Sequence, residues 1–173
     1  ESTQLAFATM FATGTQPWCG NRGNGQGAFD KLVVPYFKTA TRYSALFWGH
    51  GLTRVVAPEK SIMVTAPDGR EIWWKRTVQM RPTLGGKKLL IMSFINKPPP
   101  ETNLGTKQTL PAPIENFTVS FKPIDGKLPA KIWNIQPWPD TVTTELPIKK
   151  EGDNVVVTIP RLDYASVLVA ELK

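Results

Sequence analysis

The single histidine, His50, and the single cysteine, Cys19, are the first places to look for a base, nucleophile or metal ligand in this 173-residue chain. A Ser-His-Asp or Cys-His arrangement would need a second group held against His50, and nothing in the sequence pairs it with Cys19 or with a serine. His50 stands in Trp48-Gly49-His50-Gly51 at an expected helix end, where it complements the carbonyl end of the helix dipole. One Cys and one His make neither an internal disulfide nor a zinc constellation. Paired carboxylates could hydrolyse a glycosidic bond, but Asp68, Asp125, Asp140, Glu151 and Asp153 sit in turns, with ordinary turn roles. The glycines at 20, 23, 25 and 27 match neither phosphate-binding fingerprint, and no strong apolar strand precedes them. Asn21 and Arg22 in that loop are still able to hydrogen-bond a ligand. The chain therefore carries no catalytic set of its own.

The six tryptophans are the stronger chemical signal. An indole offers a wide, rigid apolar face at little entropic cost, which suits stacking against a sugar ring. Strand alternation in Glu71-Ile72-Trp73-Trp74-Lys75 puts Trp73 on one face with Glu71 and Lys75, and Trp74 on the other with Ile72. Trp73 is expected half exposed and Trp74 in the core. Trp138 lies in Gln136-Pro137-Trp138-Pro139-Asp140, a loop stiffened by two prolines, and Trp18 follows Pro17 at the mouth of the Gly-rich loop. Trp133, alternating with Ile132 and Ile135, and Trp48, ending a helix, are read as structural. The candidate carbohydrate contacts are thus Trp138, Trp18 and Trp73 as platforms, with Asp140, Gln136, Arg22 and Asn21 as hydrogen-bonding groups.

Two kinds of pattern position these residues. In residues 1–52, Thr3 to Ala12 reads as a short helix between Ser2 and Gly14, and a second helix is expected to begin at Pro35. Its Tyr36, Phe37, Ala40, Tyr43, Ser44 and Phe47 fall at three- and four-residue spacing. In residues 53–173, strands are expected at Ser61–Thr65, Glu71–Met80, Lys88–Asn96, Asn116–Lys122, Ala130–Ile135, Thr141–Ile148, Asn154–Ile159 and Ser166–Leu172. Turns at Pro67-Asp68-Gly69, Gly85-Gly86, Asp125-Gly126 and Glu151-Gly152-Asp153 separate them. A long loop is expected from Pro98 to Pro113. The expected fold is mainly β, an antiparallel immunoglobulin-like sandwich with an N-terminal helical segment packed on it. Leu89 to Ile95 is almost continuously apolar, so both of its faces need cover; the 35–48 helix is the expected cover for the face the sandwich leaves open.

Composition narrows the class. A chain 41% hydrophobic and 20% charged folds, and no apolar run reaches the length of a membrane span. The first residues lack the pattern of a signal peptide, so an export signal is expected to have been removed or to lie in a longer parent. The formal charge is +7, but its densest groups are the pairs Lys87-Lys88 and Lys149-Lys150, which disfavours a nucleic-acid role. Charge of this sign also admits an anionic polysaccharide. No membrane partner and no cofactor are expected; a structural calcium ion in the sandwich is left open.

The runs Ala6 to Pro17 and Leu32 to Trp48 resemble the last elements of a glycoside hydrolase (β/α)8 barrel. The end of the chain, Asn154 to Leu172, resembles the closing hairpin of the β-sandwich that follows such barrels. Ile72-Trp73-Trp74-Lys75-Arg76 together with Leu89 to Asn96 is similar to the strands after the barrel in dextranase-like and cycloisomaltooligosaccharide-forming enzymes of glycoside hydrolase family 66. The resemblance implies the C-terminal portion of a carbohydrate-active enzyme, extracellular or periplasmic, with residues 1–52 as the end of a barrel. Its catalytic acid and nucleophile would lie upstream, so no catalytic residue carries over. Two functions follow as expectations: an accessory module binding a polysaccharide or oligosaccharide beside an upstream catalytic domain, or a brace for that domain. The brace predicts large apolar surfaces on residues 1–50.

Overall fold

A computed structural model describes residues 2–15, 27–98, 109–124 and 126–172, with the side chains of residues 2, 3 and 27–30 left aside. Trp18, Asn21 and Arg22, and the Gly-rich loop up to residue 26, lie outside the described residues. Three helices, α1 (Ser2–Thr13), α2 (Gly27–Arg42) and α3 (Ser44–Trp48), precede the strands β1 (Thr53–Arg54), β2 (Ile62–Thr65), β3 (Ile72–Trp73), β4 (Val78–Pro82) and β5 (Lys88–Asn96). After these come β6 (Ile114–Phe121), β7 (Lys131–Gln136), β8 (Val142–Glu145), β9 (Lys149–Glu151), β10 (Asn154–Leu162) and β11 (Ala165–Leu172). The strands form two antiparallel sheets: one runs β1-β4-β5-β11-β7-β8 with β3 also on β5, the other β2-β6-β10-β9.

The pleat sorts the apolar residues into two cores. Leu90, Met92, Phe94, Ile132, Leu168 and Ala170 face the smaller sheet, which answers with Phe117, Val119, Phe121, Val155, Val157 and Ile159. Their neighbours in sequence, Leu89, Ile91, Ile95, Ile135, Val167 and Val169, point the other way and are covered by Phe7, Ala8, Phe11, Tyr36, Leu46 and Phe47 of the helices. At about 1.5–3 kcal/mol for each large aliphatic side chain removed from water, this second face adds a substantial core of its own to the sandwich interior. The continuous apolar run of β5 is thus explained by cover on both sides.

The cover is wider than expected. The 35–48 segment does cover this face, through Tyr36, Ala40, Leu46 and Phe47, but α1 shares the work and its backbone lies closer along β5 and β11, because the fully buried Ala8 and the small Ala12 let it approach the sheet. The second helix begins at Gly27 rather than Pro35 and carries Pro35 in its interior. Thr39, one turn on, donates its hydroxyl to the Pro35 carbonyl at 2.8 Å and meets Thr141 Oγ1 at 2.6 Å, while Tyr43 Oη meets Thr143 Oγ1 at 2.5 Å. These two contacts fasten α2 to the β8 side of the sheet. Among the described residues before 50, the exposed large apolar side chains are Val34 and Trp48, and the Trp48 indole already donates to the Gly14 carbonyl at 2.6 Å.

Two expected strands differ in extent. Glu71–Met80 runs along β5 as β3 and β4, with a turn between them at Trp74–Thr77, where the Thr77 N–H bonds to the Trp74 carbonyl at 3.0 Å. The expected strand Thr141–Ile148 is shortened to β8 and ends near buried Leu146, whose N–H bonds to the Ile132 carbonyl in the larger sheet. Beyond its expected end β9 begins, where Lys149 and Lys150 pair with β10 in the other sheet. Pro147 has no N–H with which to continue a ladder.

Candidate functional site

The break between β3 and β4 builds a cleft. Ile72 and Trp73 pair with Asn96 and Ile95; because partners directly opposite share a face, Trp73 lies on the helical face with Ile95, and Ile72 and Trp74 lie in the sandwich core. β1 flanks β4 but not β3, so among the described strands nothing covers the outer edge of β3. The resulting cleft, about 590 Å³, is lined by Trp73 together with Thr9 and Thr13 of α1, Val64 of β2, and the polar run Arg70, Glu71, Lys75 and Arg76. Trp73 is 41% exposed and Trp74 only 7%.

The charges around this cleft are unequally engaged. Arg70 is fully committed: its Nε donates to Asp68 Oδ2 at 2.7 Å, and its two terminal nitrogens donate to the carbonyls of Ala112 and Pro113 at 2.6 and 2.7 Å. The Arg70 backbone N–H, and then its guanidinium, hold the Asp68 carboxyl below the usual aspartate range. Glu71 is neutralised by Lys97 at 2.5 Å. Lys75 and Arg76, at the centre of the turn, are exposed and make no ion pair or side-chain hydrogen bond with any described residue. Thr77 locks the turn from beneath: it is buried, and its hydroxyl bonds to the carbonyls of Trp74 and Ser93 at 2.8 and 2.5 Å.

The other sequence candidates fall elsewhere. Trp138 follows β7 at the same end of the larger sheet, but β3 and β7 are three strand spacings apart, roughly 14 Å at about 4.8 Å each. Its ring is half-buried against the helical core and meets Tyr164 edge-on, with centroids 6.2 Å apart. That contact leaves it a smaller free face than Trp73 has. Gln136 donates to the Arg161 carbonyl, whereas Asp140 is exposed. Trp133 is half-buried beside the same core and His50 is exposed just beyond α3. Among the described residues no group of His, Cys, Asp and Glu could hold a metal ion. Arg76, Thr9 and Thr13 were not picked out by sequence reasoning: alternation places Lys75 beside Trp73 without foreseeing the turn, and no local signal links α1 to the cleft.

No protein-family model and no curated protein matches the chain. Among solved structures it is similar to the alpha-L-fucosidase isoenzyme 2 from Paenibacillus thiaminolyticus, with a TM-score of 0.46 and 14% identity over 82% of this chain and 20% of that one. It is also similar to a cycloisomaltooligosaccharide glucanotransferase from Paenibacillus sp., solved with bound cycloisomaltoheptaose, with a TM-score of 0.69 and 18% identity over 97% of this chain. That match spans only 27% of the glucanotransferase. The glucanotransferase likeness is one of fold: the sandwich with its helical layer is an arrangement also present as part of that enzyme.

Proposed function

We propose that the chain is a non-catalytic carbohydrate-binding accessory domain of a polysaccharide-degrading glycoside hydrolase, working outside the cytoplasm beside a catalytic domain. The observation that carries this reading is Trp73: an indole 41% exposed on a strand paired to β5, in a cleft of about 590 Å³ lined by threonines, guanidinium groups and a carboxylate. Side chains locked on a strand lose little entropy when a sugar stacks on them. The fold likeness to part of a glucanotransferase supports the enzyme context. Isothermal titration against dextran, xylan, starch and polygalacturonate tests the reading. Trp73→Ala is expected to weaken the best ligand by at least about tenfold, the equivalent of about 1.4 kcal/mol, while Trp138→Ala leaves affinity within about threefold and lowers thermal stability. Absence of binding to any glycan, or unchanged affinity in Trp73→Ala, would overturn it.

A further inference from the structure

The rim of the Trp73 cleft is charged in one direction. Asp68 balances Arg70, and Lys97 balances Glu71. Lys75 and Arg76 remain, exposed at the tip of the Trp74–Thr77 turn and unmatched by any described carboxylate. The backbone that carries them is anchored, because the Thr77 hydroxyl proton is shared between two carbonyls beneath the turn and Trp74 is buried in the sandwich core.

We infer that the cleft selects acidic sugars, a uronate unit stacking on Trp73 with its carboxylate at the ring edge against Lys75 and Arg76; this rests on the carbohydrate-binding reading above. The geometry suits such a unit better than a neutral one. A uronate ring keeps an apolar face for the indole and carries its charge at the periphery, where the ammonium and guanidinium groups stand. A guanidinium matches a carboxylate in a two-point hydrogen bond, and charge assistance makes such bonds stronger than those to a neutral hydroxyl. A neutral glycan would leave two cations partly desolvated without a counter-charge. Thr9 and Thr13 border the same cleft from α1; the Thr13 hydroxyl donates to the Thr9 carbonyl at 2.9 Å, so its oxygen is left to accept from a ring hydroxyl.

The test compares polygalacturonate with dextran and xylan as neutral glycans, with dextran sulfate and an oligothymidylate as anionic controls. It uses wild type, Trp73→Ala, the double variant Lys75→Ala/Arg76→Ala, and Lys149→Ala/Lys150→Ala. The last removes the same charge from the smaller sheet's far edge. Polygalacturonate is expected to bind at least about tenfold more tightly than the neutral glycans at low salt. The preference should shrink at high salt as the charges are screened. Lys75→Ala/Arg76→Ala should abolish it, and Lys149→Ala/Lys150→Ala should leave it intact. Equal tightness for dextran sulfate would widen the anion to sulfate while supporting charge selection. Tighter binding of neutral glycan that needs Trp73 but ignores Lys75 and Arg76 would overturn the selectivity and keep the carbohydrate reading. Binding of oligothymidylate in preference to every glycan, or of nothing, would overturn both.

Discussion

At the residue scale, two tyrosines and an aspartate define the least comfortable spot in the helical core. Tyr36 is 1% exposed, and its hydroxyl has no well-formed hydrogen bond, although the Gln4 side chain approaches it. Burial, above all, with the negative charge of Tyr164 and Asp163 added, raises its pKa far above that of a free phenol. A tyrosine with its folded pKa raised contributes stability that is whole below its unfolded value of about 10 and is lost as pH rises toward the folded one. Tyr36→Phe is therefore expected to change stability at pH 7 by no more than about 1 kcal/mol, in either direction, since it deletes an under-paired hydroxyl and keeps the ring against Phe11. Above about pH 10 the variant should lose less stability than the wild type. Urea titrations at pH 7 and pH 10.5 measure both; a large loss at pH 7 would mean that the hydroxyl is satisfied after all.

The element scale is where the cleft is made, and the Trp74–Thr77 turn is its working part. Thr77→Val keeps the shape of the side chain but removes the hydroxyl that bonds to the Trp74 and Ser93 carbonyls. A loss of about 1–2 kcal/mol in denaturant stability is expected, together with weaker ligand binding than the stability change alone explains, because Lys75 and Arg76 are no longer held in place. Much of this element-level order is legible in the residues. Turn signals such as Pro67-Asp68-Gly69 and Glu151-Gly152-Asp153 mark real strand ends, and the unbroken apolar run of β5 correctly demands cover on two faces. The turn inside Glu71–Met80 is not legible, because it depends on Thr77 finding a carbonyl sixteen residues away in β5. Pro35 misleads for a related reason. Propensity favours it in a helix's first turn, yet here the packing of Val33 and Tyr36 against the sheet outweighs its cost in the interior. The cleft itself was half visible: Trp73 reads from alternation, whereas α1 and Arg76 join it only through tertiary packing.

For the whole molecule, the two cores share the larger sheet, so the helical residues and the sandwich are not expected to behave as independent units. Residues 53–173 alone would keep the inner core, built from Phe94, Phe117, Phe121 and Leu168 among others, and should retain β structure. They would also expose Leu89, Ile91, Ile95, Ile135, Val167 and Val169 as a contiguous apolar face, larger than monomeric proteins ordinarily tolerate. The fragment is therefore expected to be associated or insoluble, binding a hydrophobic dye strongly, while the 173-residue chain unfolds in one cooperative transition. Sedimentation and circular dichroism of the two side by side measure this. A soluble, monomeric 53–173 fragment with near-native stability would show that the helical layer contributes little to the fold. It would then place the function of α1 in closing the Trp73 cleft, where Thr9 and Thr13 already stand. In that outcome the fragment should lose glycan affinity without losing its fold. In the expected outcome the two losses come together, since the helix that borders the ligand is the same one that shields the sheet.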